Sequence, residues 1–139
     1  MDKILVPIDG SSNSVRGLEQ AIALAKNDNS SITLLHVVIL PPVHVIGHSQ
    51  DKVKKSLLKK SQKFINDAED RCTNQNISFI TKIIYGSDPA YDIEQFLKKN
   101  KHNMIVIGAK GKSKLKRLFL GSVSSYLVQS AKIPVTIVK

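Results

Sequence analysis

A doubly wound α/β domain, with a five-stranded parallel sheet covered by helices on both faces, is the fold this sequence predicts. Three observations carry the prediction. Five β-branched apolar runs alternate with four helical runs along the chain, the arrangement that builds βαβ units. The strand runs are apolar without regular alternation, as in strands buried on both faces. The chain has 139 residues, 42% of them hydrophobic and 23% charged, which suits one domain spanning 1–139 that buries about two-thirds of its unfolded surface.

The elements follow in order. Lys3 to Ile8 (KILVPI) is a short buried strand ended by Asp9-Gly10-Ser11-Ser12, a loop and helix start. Val15, Leu18, Ala21, Ile22 and Ala25 recur at helical spacing until Asn27-Asp28-Asn29-Ser30 stops them. Ser31 to Val38 (SITLLHVV) is the second strand. Residues 39–50, with two prolines and a glycine, form a long connection of the kind that covers a site. From about Asp51 to Thr73 a long helix carries Val53, Leu57, Phe64, Ile65, Ala68 and Cys72 on one face and six lysines around the rest. Ser78 to Tyr85 is the third strand. Gly86-Ser87-Asp88-Pro89 then supplies a turn, a capping Asp and a proline at the first helical position, opening a helix that runs to Asn100. Met104 to Ile107 is a fully apolar fourth strand ending at Gly108. Gly121-Ser122 opens a short helix with Val123, Tyr126, Leu127 and Val128, and Pro134 to Val138 is the fifth strand.

Composition excludes several classes. The most apolar stretch, Val37 to Ile46, contains Pro41, Pro42 and His44 and falls far short of the roughly 20 residues needed to cross a bilayer. An acid at position 2 and no apolar core before a cleavage site make the N-terminus read as mature protein, which points to the cytoplasm. Cys72, the one cysteine, has no second thiol for a disulfide or zinc site and reads as an apolar filler. His44 and His48 are four apart, but Pro41, Pro42 and Gly47 oppose the helix that would make this a metal-ligand pair. The 21 Lys and Arg against 11 acids leave +10. The excess gathers at Lys52, Lys54, Lys55, Lys59, Lys60 and Lys63, and again at Lys110, Lys112, Lys114, Lys116 and Arg117. Attraction to polyanions follows physically, yet four Phe and three Tyr, most at core-like positions, give no stacking platform, so nucleic acid is not the expected partner.

In a doubly wound sheet, ligands bind beyond the carboxyl ends of the strands where the strand order reverses. Here that means the residues at Asp9, from Val38, at Gly86 and at Gly108. The loop Gly108-Ala109-Lys110-Gly111-Lys112-Ser113 has two residues between its glycines, too few for a Walker A loop, and the chain has no G-x-G-x-x-G. What it has is Gly108, two residues, Gly111, nine residues, and Gly121-Ser122 at a helix start whose dipole favours an anion.

With this G-x2-G-x9-G-S spacing, the opening KILVPIDGSSNS, the LLHVV strand and the tail MIVIGAKGKSKLKRLFLGSVSSYLVQSAKIPVTIV, the sequence resembles the nucleotide-binding branch of the universal stress protein family over nearly its whole length. The resemblance implies strand order 3-2-1-4-5, ATP in the crevice, and a homodimer paired through Val135 to Val138. It makes Asp9 the ribose partner, with Pro7 and Ile8 lining the pocket and the Val37 backbone meeting adenine. Gly108, Gly111 and Lys112 would close around ribose and phosphates, while Gly121, Ser122, Val123 and Ser124 would offer N–H groups and hydroxyls to the triphosphate. The family often has a serine and a histidine or arginine where this chain has Ala109-Lys110. Asp9 has a second role open to it, as a cap of its own loop or helix. Mg²⁺ would ride on the phosphates and their waters without a protein cage. No residue reads as a base that activates water, Asp9 aside, and the function the resemblance implies is a cytoplasmic stress-response module regulated by ATP occupancy. The alternatives are a slow hydrolase or nucleotidyl-transfer enzyme on the same fold, and a basic nucleic-acid-associated protein.

Overall fold

The computed structural model describes residues 1–42, 50–111 and 120–139. Among these, the order is β1 (Lys3–Pro7), α1 (Ser12–Asp28), β2 (Ser31–Ile39), α2 (Gln50–Asn74), β3 (Phe79–Gly86), α3 (Pro89–Lys99), β4 (Met104–Gly108), α4 (Ser122–Ser130) and β5 (Val135–Val138). The helix starts follow the local chemistry. The Ser11 side chain accepts from the Ser14 N–H at the head of α1, and the Asp88 side chain accepts from the Tyr91 N–H at the head of α3, with Pro89 first inside the helix. Asn29 ends α1 in the left-handed conformation (φ 60°), which Asn tolerates better than most residues.

The strands form one parallel sheet in the order β3-β2-β1-β4-β5. Its two faces bury separate cores. Ile4, Val6, Ile32, Leu34 and Val106 pack against Leu18, Ala21 and Ala25 of α1 and Ile65, Ala68 and Cys72 of α2. Leu5, Leu35, Ile105 and Ile107 pack on the other face against Ile93 of α3 and Leu127 of α4. Successive residues of β1 and β4 thus serve opposite cores, which is why both strands are apolar without alternation. Burial pushes the Cys72 thiol up to about 11, as suits a filler rather than a nucleophile.

The expectation of strands buried on both faces fails at β3. This strand is a sheet edge whose residues alternate between half-buried and exposed over its first half, with Ile80 52% exposed. An apolar run reports β propensity and not position in the sheet, so edge and centre read alike in sequence. The aromatic placement is corrected too: Tyr85, Tyr91 and Tyr126 are all exposed, as is Val128 of α4. The connection before α2, with His44 and His48, falls mainly on residues 43–49, and most of the second basic cluster, including Lys112, Lys114, Lys116 and Arg117, falls on 112–119. Both stretches lie outside the described residues. Among the described residues, no helix is long and apolar enough to cross a membrane.

At the opposite end of the sheet from the crevice, His102 is buried with Nδ1 on the Asn100 carbonyl and Nε2 2.9 Å from Thr33 Oγ1. Burial lowers its pKa below the ordinary value, with Lys3 adding to the effect against the opposing Asn100 bond. The unfolded chain therefore takes up this proton first, and the stability the neutral ring contributes is lost as pH falls below about 6.5. Urea unfolding at pH 7.5 and pH 5 is expected to show a smaller pH-dependent loss in His102→Gln than in the unaltered chain.

Candidate functional site

The carboxyl ends of β1, β2 and β4 open into a cavity of about 750 Å³, within the range of small-ligand sites. Of the residues the sequence singles out, Pro7, Ile8, Asp9, Val37, Gly108, Gly111, Gly121, Ser122, Val123 and Ser124 all line it. Lys112 lies outside the described residues. Gly86 does not line it: a Cβ there would meet the Asp92 carboxylate of α3 at 2.0 Å.

Asp9 fills the capping role read for it. Its Oδ1 accepts from the Ser11 N–H at 2.9 Å, tying the turn into α1, and its own N–H donates to Ser14 Oγ at 3.2 Å. The other carboxylate oxygen is turned toward Gly111, where a Cβ would approach Oδ2 to 2.6 Å.

The wall at the start of α4 is built by a short backbone knot. The Gly121 N–H donates to the Ala109 carbonyl at 2.6 Å, and the Ser124 hydroxyl donates to the same carbonyl at 2.7 Å. The Ser124 hydrogen is thereby spent on the loop, so this side chain positions the helix start. Gly121 is the N-cap of α4 and no side chain caps the helix. The N–H groups of the first turn have no intrahelical acceptor, and with the helix dipole behind them they form an anion seat at the cavity wall. Lys110 also lines the cavity, its Cα 3.3 Å from where a Cβ on Gly121 would stand.

The β2 backbone supplies a third feature. β1 pairs with β2 only as far as Pro7 opposite Leu35, where the Ile8 N–H donates to the Leu35 carbonyl at 2.9 Å. Backbone groups alternate sides along a strand, so the N–H and C=O of Val37 point the same way as those of Leu35, past the end of β1 and into the crevice. On its other side β2 continues to pair with β3 as far as Gly86.

The sequence reading missed the wall contributed by α2. Leu57, Lys60, Ser61 and Phe64 line the cavity with His36 of β2. His36 Nδ1 lies 2.9 Å from the Ile8 carbonyl, Nε2 lies 2.9 Å from Ser61 Oγ, and the Phe64 ring packs edge-on at 4.9 Å. A signal existed. Ser61 falls four residues from both Leu57 and Ile65, on the apolar stripe of α2, and a buried hydroxyl there requires a polar partner across the interface. Tyr126, whose hydroxyl donates to Glu94, and the Asp88-Pro89 helix start complete the rim. Among the described residues, no group of three His, Cys, Asp or Glu side chains is placed to hold a metal ion.

Fold and crevice together define a doubly wound parallel α/β domain with an anion-ready helix start at its strand-order switch point. The chain belongs to the universal stress protein family, whose model matches residues 1–139. It is 31% identical to the universal stress protein YxiE of Bacillus subtilis, over 99% of both chains. The solved structure of universal stress protein UspA from Lactobacillus plantarum superposes with a TM-score of 0.86 at 25% identity, covering 99% of this chain and 97% of that one. A universal stress protein family protein from Arabidopsis thaliana, solved with AMP bound, gives a TM-score of 0.73 at 20% identity and covers 100% of this chain and 92% of that one.

Proposed function

We propose that the crevice binds ATP and that occupancy regulates what the protein associates with, turnover being slow or absent. One observation carries the reading: ten residues from four separate stretches of chain, chosen on sequence alone, line a single cavity. The roles divide by chemistry. The uncapped α4 start and Lys110 receive phosphate oxygens, and Asp9 Oδ2 accepts from a ribose hydroxyl. The Val37 N–H and C=O meet the adjacent ring acceptor and amino group of adenine, a complementarity guanine does not offer in the same order. The AMP-bound Arabidopsis relative supports a nucleotide as ligand. Any Mg²⁺ would be held by phosphates and waters.

Mass spectrometry of small molecules released on denaturing freshly purified protein, followed by calorimetry with ATP, tests the proposal. An ATP or ADP mass and saturable ATP binding are expected. No nucleotide mass and no binding would overturn it, and multiple-turnover phosphate release above a no-protein control would move the reading to a hydrolase.

The homodimer through β5 belongs to the same proposal. β5 is a sheet edge carrying no charge from Val135 to Val138, and a second copy could pair with it across a two-fold axis. The Pro134 and Val138 carbonyls accept from Ile105 and Ala109, so by alternation Thr136 also faces β4, while Val135 and Ile137 present their backbone groups outward. Ile137→Pro is therefore the variant expected to shift a dimer toward monomer in analytical ultracentrifugation. Thr136→Pro would instead cut the β4 ladder. A dimer that persists in folded Ile137→Pro would contradict this interface.

A further inference from the structure

Resting on the nucleotide reading, we infer that His36 is a positioning residue for the site, a strut that sets the orientation of the Ile8-Asp9 peptide and through it the carboxylate that meets ribose. The argument starts from the imidazole. A carbonyl oxygen only accepts, so the 2.9 Å contact to Ile8 places the hydrogen on His36 Nδ1. In the neutral ring Nε2 then accepts, and the Ser61 hydroxyl donates to it at 2.9 Å in preference to the Leu57 carbonyl at 3.4 Å. His36 is buried on a strand whose neighbours are apolar, and it links the last residue before Asp9 to the middle of α2.

The peptide it grips is held at both ends. The C=O of Ile8 accepts from His36, and the N–H of Asp9, in the same peptide plane, donates to Ser14 Oγ at 3.2 Å. With Oδ1 fixed by the Ser11 N–H, little freedom is left in how Oδ2 enters the crevice. Release of the His36 end lets the plane rotate and the carboxylate drift, which weakens recognition of ribose hydroxyls more than binding of base or phosphates.

Two substitutions separate the contacts of the ring. The amide nitrogen of His36→Asn falls near the position of Nδ1, so this variant keeps the Ile8 bond and loses Ser61. The longer His36→Gln reaches toward Ser61 and loses Ile8. The readout is the ratio of calorimetric affinities for ATP and 2′,3′-dideoxy-ATP, which reports the ribose contact and which a loss of packing alone would not move. A carboxylate-to-hydroxyl bond predicts a preference for ATP of about tenfold or more in the unaltered protein. That ratio is expected to survive in His36→Asn to within about threefold, and to collapse toward about one in His36→Gln. Should His36→Gln not fold, Ser14→Ala releases the other end of the same peptide and is expected to lower the ratio as well. Retention of the full ratio in folded His36→Gln or in Ser14→Ala, or an equal collapse in His36→Asn, would overturn the inference alone. An unaltered protein that does not bind ATP, or does not prefer it to the dideoxy analogue, would overturn the nucleotide reading on which it rests.

Discussion

Gly111→Val is expected to weaken ATP binding by about 10- to 100-fold while leaving the fold intact. A Cβ at this position would stand 2.6 Å from Asp9 Oδ2 and 3.8 Å from its Cγ, and among the described residues beyond its chain neighbours no backbone atom comes as near. The atom that must give way is the tip of a side chain, so the chain folds around the intrusion by rotating the carboxylate. That rotation turns Oδ2 out of the crevice and loosens the Ser11 contact made by Oδ1. The loss of one hydrogen bond to a charged group, about 1.5–3 kcal/mol, sets the expected range. Calorimetry with ATP measures the first half of the prediction and thermal unfolding the second. Unchanged affinity in a folded variant would remove Asp9 from the site.

Gly108→Ala is expected to act on the whole fold, with a stability loss of about 3 kcal/mol and a fall in Tm on the order of 10 °C. The added methyl would lie 2.6 Å from both the backbone carbon and the carbonyl oxygen of Asn13. Backbone cannot rotate aside as a carboxylate can. The contact is also backed from the other partner, since a Cβ on Gly17 would come within 3.1 Å of the Gly108 nitrogen. The first turns of α1 and the end of β4 therefore approach at a distance only two glycines allow. Calorimetric unfolding of the variant would refute the argument if it lay within about 0.5 kcal/mol of the unaltered protein, the usual range for substitutions without a structural mechanism.

The two glycines show how far the sequence could be read and where it stopped. Their spacing in the loop marked the site, but the reason attached to Gly108 was access for phosphate, whereas the structure makes it first a packing residue under α1. The spacing of a motif records where backbone must come close without naming what it comes close to. Local chemistry was more legible: Asp88 and Pro89 start α3, and Asn29 ends α1, because caps and turns act over a few residues. Contacts between distant segments left weaker traces. The pairing of His36 with Ser61 joins a strand to a helix across a stretch of unrelated sequence, and only the odd polar residue on each apolar stripe hinted at it. The exposure of Ile80 and Tyr85 on β3 left only a weak trace, since Thr81 and Lys82 interrupt the apolar run without stating that the sheet ends there.

The strand order has a consequence during synthesis. β1 is the central strand of the sheet, paired on one side with β2 and on the other with β4, yet the ribosome delivers β2 and β3 long before β4. Until Met104 and Ile105 have emerged to meet Ile4 and Leu5, a nascent chain that has formed the first three strands carries β1 as an apolar edge, its backbone groups on that side unpaired. This is the edge that β4 later seals. A ribosome-bound chain arrested before residue 104 should therefore recruit factors that shield sticky nascent chains, and one with β5 fully emerged should release them.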